Sequence, residues 1–223
     1  MEDAPADLPP PDARVRQARG ARHRVVNDLR RSLVLDAARE AFLELGLEGA
    51  SLREIARRAG YTPGAIYTYF ASKEEIYGAL LGESLDRLEQ TVRAARPTVR
   101  ARARAIFDFY LQHPRDLDLG FYLFNGVRPR GLTPELDARL NARLREALSP
   151  LQESFAALGL SDRAAQTELT SVFAHAVGLL VLNHTGRIRV FGQRAQALFD
   201  RHLDALSERL EREGLERKAG TRA

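Results

Sequence analysis

The part of this 223-residue sequence best suited to contact another molecule is a run of small and hydrogen-bonding residues, GAIYTY at positions 64–69. On a helix, Ile66 and Phe70 share one apolar side, which leaves Gly64, Tyr67 and Thr68 on the opposite side. A glycine lets the backbone approach another surface closely, and phenol and hydroxyl groups bond to base edges or phosphates. The pattern predicts a helix that contacts nucleic acid.

Two sets of capping signals predict the helices that hold this segment. Ser51 and Glu54 have the spacing of a capping box, and Gly60 is suited to end the helix that they begin. Thr62 is then an N-cap, with Pro63 at the first helical position, where a missing N–H costs nothing. Two short helices joined at a glycine turn are the layout of a helix-turn-helix, which places its second helix in the DNA major groove.

A third helix is predicted to begin at Ser72, which forms a second capping box with Glu75. Lys73 lies beside the turn, where its ammonium group could hold a phosphate. The alternative is a plain helical protein, because capped helix pairs with a glycine between them also occur in proteins that never touch nucleic acid.

From Val34 to Leu81, the sequence VLDAAREAFLELGLEGASLREIARRAGYTPGAIYTYFASKEEIYGALL resembles the N-terminal DNA-binding domain of TetR-family transcriptional regulators, without a gap. The resemblance implies that the groove is contacted by Pro63, Gly64, Ala65, Tyr67 and Thr68. It also implies sugar-phosphate contacts from Ser51, Tyr69 and Lys73. With the N-cap Thr62, these residues form the predicted DNA-binding set. Tyr61 and Thr68 depart from the usual family pattern, so the operator sequence stays open.

The composition argues against several other classes of protein. A formal net charge of +4 fits an anionic partner. The absence of cysteine excludes disulfides, thiolate metal sites and cysteine catalysis. Phosphate-loop, zinc-helix and nucleophile-turn motifs are missing, and the histidines are scattered, so we expect no enzyme, no cofactor and no metal site. A catalytic triad assembled from distant residues is the open alternative.

The chain divides into three predicted parts. Residues 1–24 are proline-rich and then arginine-rich and lack a signal-peptide core, which predicts a disordered basic arm, either solvated or reaching into a minor groove. Residues 25–81 form the helix-turn-helix domain, and residues 82–223 form a larger helical domain for effector binding and dimerisation. No run alternates with the period of a strand, so the fold class is all-α. We expect a bacterial cytoplasmic protein with no membrane partner.

Apolar stripes on the last two long helices, predicted at 161–185 and 192–213, indicate a dimer interface. The alternative is that the stripes pack inside one chain. The apolar stretch of the first of these helices is expected to fall far short of a membrane span. The predicted interface residues are Val172, Phe173, Ala176, Leu180, Leu198, Phe199, His202 and Leu206.

Aromatic residues outside the motif gather in one region, with a few polar neighbours, which is typical of a small-molecule pocket and equally of a helical core. The candidate effector residues are Phe107, Tyr110, His113, Phe121, Tyr122, Phe124, Asn125 and His175.

The sequence therefore predicts a ligand-responsive repressor that binds a palindromic operator in double-stranded DNA as a homodimer. The effector is an unidentified small molecule. The alternatives are a helical dimeric adaptor, a small-molecule-binding protein or an enzyme, none of them with specific DNA binding.

Overall fold

The computed structural model describes residues 11–121 and 132–220, and the side chains of residues 20, 22, 25–120 and 132–214. Within these ranges the chain forms nine α-helices and no strand, so the prediction of an all-α fold is confirmed. The helices are α1 (Pro11–Gly49), α2 (Leu52–Ala59), α3 (Pro63–Ile66), α4 (Lys73–Ala94), α5 (Val99–Gln112), α6 (Pro114–Phe121), α7 (Pro134–Ala156), α8 (Asp162–His184) and α9 (Ala195–Gly220), with a 3₁₀ helix at Arg187–Phe191 between the last two.

The chain separates into two compact units, Met1–Tyr77 and Gly78–Ala223. The boundary lies inside α4, slightly before the predicted one after Leu81. The structure also differs from the prediction of a disordered arm, since α1 already begins at Pro11. Arginine and alanine, which dominate residues 13–24, are good helix formers, and proline is well tolerated at a first helical position.

The core of the N-terminal unit lies between α1 and the short helices that follow it. Phe42 of α1 packs edge-to-face on Tyr77, with ring centroids 6.0 Å apart. Ile55 of α2 and Ile66 of α3 are fully buried. Gly46 interrupts α1 with φ 70° and ψ 170°, a conformation available essentially to glycine alone, and its carbonyl accepts from the Ala50 N–H at 3.1 Å. The chain therefore turns at Gly46 before α2 begins.

In the C-terminal unit, α8 and α9 run antiparallel. Glu168 of α8 pairs with Arg209 of α9 at 2.6 Å, and seven residues along, His175 stacks on His202. Seven residues forward along α8 correspond to seven residues back along α9, which defines the antiparallel register. Phe199 of α9 is fully buried against α5.

Helix α8 is more apolar than the sequence prediction allowed. Its most apolar 18 residues have a mean hydropathy of 1.3, so by length and composition alone the helix passes as a membrane span. The prediction of a stretch far too short was therefore wrong, because the helix carries few charges over its whole length. Core helices of soluble proteins pass the same test, and α8 packs against α7 and α9.

Replacing Gly46 by alanine should lower the free energy of unfolding by about 1–3 kcal/mol, because a Cβ makes this backbone conformation strained. Chemical unfolding followed by circular dichroism measures the change. The matched control is Gly20→Ala, since Gly20 is helical and an added Cβ there meets no atom within 4 Å. Equal stabilities of the two variants would contradict the strain argument.

Candidate nucleic-acid interface

The turn between α2 and α3 is set by backbone hydrogen bonds at the end of α2. Gly60 adopts a left-handed conformation with φ 72°, and the Tyr61 N–H donates to the Ala56 carbonyl at 2.8 Å. This pair of features is a Schellman cap, which satisfies carbonyls that the helix end would leave without donors. At the start of α2, the Ser51 Oγ accepts from the Glu54 N–H at 3.2 Å. Both ends of this eight-residue helix are therefore closed.

Helix α3 is shorter than the predicted recognition helix. The Thr62 Oγ1 accepts from the Ala65 N–H at 3.3 Å at its start, and regular α-helix ends at Ile66. Beyond it the Tyr69 N–H donates to the Ile66 carbonyl at 2.9 Å, a tighter three-residue step. The Thr68 Oγ1 donates to the Ala65 carbonyl at 2.7 Å, a local bond that competes with regular helix.

Burial separates the two sides of this segment. Ile66 and Phe70 are buried, whereas Gly64 and Thr68 are exposed and Tyr67 has an exposed fraction of 58%. Pro63 is exposed as well, and Ala65 and Tyr69 are half-buried. An added Cβ at Gly64 would meet no atom within 4 Å. The segment thus presents an open surface of small and hydroxyl-bearing residues.

The Lys73 ammonium group lies in a place that the sequence did not indicate. Its Nζ donates to the carbonyl oxygens of Leu47 at 2.8 Å and of Glu48 and Ala50 at 3.3 Å. An ammonium group has three donors, so all of them are used on the chain that ends α1. The predicted phosphate contact does not fit this geometry. Spacing along the sequence cannot show that the end of α1 folds back onto the start of α4.

Two of the three α2 arginines also form ion pairs within the N-terminal unit. Glu54 accepts from Arg57 and Arg58, each at 2.7 Å, and these hydrogen bonds lower the pKa of Glu54 to about 2. Arg58 also bonds to Glu44 at 2.7 Å. Among the described residues Arg53 makes no ion pair, and it is exposed. Arg53 is therefore the α2 cation best placed for a phosphate, and its position off the apolar stripe does not separate it from Arg57 and Arg58 in the sequence.

The candidate effector residues do not form one group. Phe107 and Tyr110 are buried, and Phe107 stacks on Phe199 with centroids 4.4 Å apart. His113 is exposed and lies against Phe109 instead. His175 joins the Phe107 side through Phe199, 6.3 Å away. The Phe121 side chain and the whole of Tyr122, Phe124 and Asn125 lie outside the described parts.

Most of the predicted dimer residues are used inside their own chain, which is the alternative that the sequence left open. The residues buried in this way are Val172, Ala176, Leu180, Phe199 and Leu206, whereas Phe173, Leu198 and His202 are half-buried. The stripes therefore pack largely within one chain. Periodicity identifies a buried stripe but not the surface that covers it. The exposed side of α8 carries small residues instead, namely Thr167, Ser171, Ala174 and Gly178.

Two capped short helices, a left-handed glycine turn and an exposed segment after it define a helix-turn-helix protein. Residues 34–80 match the model of the bacterial regulatory proteins of the tetR family. This match agrees with the resemblance of the N-terminal unit to the DNA-binding domain of that family.

Comparison with known proteins extends this similarity. The chain is 40% identical over 94 residues to the HTH-type transcriptional activator FasR of Mycolicibacterium smegmatis, covering 39% of this chain and 43% of FasR. It is 38% identical over 64 residues to the HTH-type transcriptional repressor AcnR of Corynebacterium diphtheriae, covering 29% of this chain and 34% of AcnR. The match thus spans less than half the length of either relative.

The similarity in fold is longer than the similarity in sequence. The crystal structure of a putative regulatory protein superposes with a TM-score of 0.70 at 21% identity, covering 82% of this chain and 97% of the other. Such low identity shows the shared fold alone.

Replacing Lys73 by methionine should lower the free energy of unfolding by about 1–3 kcal/mol, because three backbone carbonyls lose their donor. The slope of log affinity for DNA against log salt should stay unchanged. A phosphate contact would instead reduce that slope by about 0.9. The matched variant is Arg53→Met, for which we expect the reduced slope with unchanged stability. The opposite assignment of the two results would contradict this division of roles.

Proposed function

We propose that this protein is a sequence-specific DNA-binding transcriptional regulator that binds a palindromic operator as a homodimer. The observation that carries the proposal is the open, exposed face of Pro63, Gly64, Tyr67 and Thr68 on a fully capped helix-turn-helix. The similarity of the chain to the transcriptional regulators FasR and AcnR supports the proposal.

The hydrogen bonds within this face restrict what each group can read. The Thr68 hydroxyl already donates its proton to the Ala65 carbonyl, so towards DNA it acts only as an acceptor. An acceptor in the major groove suits the amino group of cytosine or adenine. Tyr67 has a free choice of donor or acceptor, and Gly64 and Ala65 let the backbone come close to the bases.

The cap residues suit contacts with the sugar-phosphate backbone. The hydroxyl oxygens of Ser51 and Thr62 accept from backbone N–H groups, which leaves each O–H free to donate to a phosphate. Tyr69 is half-buried at the edge of the face, and Arg53 adds a cation. In this proposal Arg53 makes the phosphate contact that was predicted for Lys73.

The dimer in the proposal uses the small-residue face of α8. Only 33% of the most apolar part of α8 is buried within the chain, so much of an apolar helix is left for a partner to cover. Ala174 and Gly178 allow a second helix to approach closely, and an added Cβ at Gly178 meets no atom within 4 Å. A second copy of the chain matches the need for two reading heads about 34–36 Å apart on a palindrome.

The regulatory part of the proposal is a cytoplasmic repressor whose operator affinity changes when a small molecule binds the C-terminal unit. A compact dimer over a promoter blocks transcription without further machinery. The effector must bind one dimer geometry better than the other, since only differential affinity shifts a population. Aromatic and imidazole groups around Phe107 and His175 are its candidate contacts.

Replacing Tyr67 by alanine should weaken operator binding about ten- to a hundredfold, since one base or phosphate contact in the groove is lost. A gel shift with the DNA upstream of the protein's own gene measures it. Glu40→Ala is the matched control, because Glu40 is exposed in the same unit but lies on α1. A helical adaptor without DNA binding predicts no specific shift for any of the three proteins.

Replacing Gly178 by leucine should convert the dimer to a monomer without unfolding the chain, because the side chain fills space that the second copy needs. Sedimentation at micromolar concentration measures the mass, and circular dichroism checks the fold. Ala138→Leu on the exposed side of α7 is the matched control. A Gly178→Leu protein that stays dimeric would rule out the α8 face as the interface.

A further inference from the structure

Four nearly parallel aromatic rings form a cluster in the C-terminal unit. Phe107 of α5 stacks on Phe199 of α9 at 4.4 Å with 12° between the planes. His175 of α8 and His202 of α9 lie 6.3 and 6.4 Å from Phe199, and the two imidazoles stack on each other at 4.0 Å and 20°. The cluster therefore joins two fully buried phenyl rings to two half-buried imidazoles.

The two imidazoles are held face to face by the register of α8 and α9. The Glu168–Arg209 pair fixes the same two helices seven residues away. The Nε2 atoms of His175 and His202 are buried, and neither has a hydrogen-bond partner in the described part of the chain. A buried imidazole without a carboxylate or carbonyl on its nitrogen has nothing to stabilise a proton there.

Several charged groups of the packed helices form ion pairs with one another. On α8 and α9, Glu168 and Arg209 form the ion pair already described. On α5, Arg104 pairs with Asp108 at 3.0 Å and also with Asp200 of α9. The ring cluster therefore has no unpaired carboxylate among these groups to offset a positive charge on either imidazole.

Both imidazoles favour the neutral form. Burial lowers the pKa of His175 below its ordinary 6.5, and the neighbouring His202 lowers it further. Burial also lowers the pKa of His202, and Arg209 adds to this, partly offset by Glu168. Because the unfolded chain binds these protons more readily, stability is highest above about pH 6.5 and falls as the pH drops towards the folded pKa values.

We propose that the His175–His202 stack is a proton-sensitive lock between α8 and α9, closed while both imidazoles are neutral and weakened when either is protonated. The lock lies within one chain, so it does not depend on the proposed DNA binding. Where α8 also forms the dimer interface, which rests on the proposed function, mild acid weakens the dimer and with it the binding of a two-headed operator.

The test compares the wild type with the double variant His175→Phe, His202→Phe, which keeps stacked rings and removes both titrating groups. We measure the melting temperature of the full chain between about pH 8 and about pH 5.5, the range in which histidine titrates. The melting temperature should fall further over this range for the wild type than for the variant. Equal losses would overturn the proposal, as would a wild type stabilised by acid.

If the double variant does not fold, a second measurement on the wild type tests the proposal. The ring protons of the wild-type histidines are followed by nuclear magnetic resonance, with each signal assigned by a single His→Phe variant. Titration of His175 and His202 below about pH 6.5 supports the lock, and titration at or above that value overturns it.

Operator binding measured at about pH 8, where both imidazoles are neutral, tests the proposed function separately. If operator binding at this pH weakens in acid for the wild type but not for the double variant, the lock is connected to DNA binding. Loss of binding at every pH rejects the proposed function and leaves the lock to be judged by the melting temperatures and the titration.

Discussion

The N-terminal unit depends on the satisfaction of backbone groups at the ends of very short helices. Helices of four and eight residues are unstable alone, because nucleation costs more than so few hydrogen bonds return. Ser51, Thr62 and the turn at Gly60 close the ends of α2 and α3, and Lys73 closes the end of α1. Ile55 and Ile66 are buried, with α2 packed against α1 and α3 packed against α2. The exposed face of α3 exists only because this network fixes the backbone beneath it.

The C-terminal unit meets a different constraint, since its most apolar helix must be covered on more than one side. Helix α8 packs against α7 and α9, and one side of it, which includes Val172 and Leu180, is buried within the chain. The other side has small residues, which allow another helix to approach without a side-chain collision. His175 lies between these two environments. Its ring packs like a core residue but can still be protonated from solvent.

The helix ends were largely predictable from the sequence, because caps are local. The helix predicted to begin at Ser72 is observed at Lys73–Ala94, and Ser51 and Thr62 cap as expected. Partners distant in sequence were not predictable. Lys73 bonds to carbonyls more than twenty positions away, and Phe199 is buried against α5 rather than against a second chain. Periodicity shows that a stripe is apolar, whereas the identity of its partner depends on how the helices pack.

The distribution of charge limits how the proposed interface can achieve affinity. Arg57 and Arg58 form ion pairs with Glu54, and the donors of Lys73 are used on backbone carbonyls, so much of the cationic hydrogen-bonding capacity near the turn is already engaged. Counterion release scales with the number of phosphates that cations contact, which leaves Arg53 and the exposed arginines of α1, such as Arg22 and Arg30, to provide that term. With few free cations at the turn, discrimination rests on the uncharged groups of Tyr67 and Thr68. These read hydrogen bonds at base edges, so the interface is better suited to selecting a sequence than to binding DNA non-specifically.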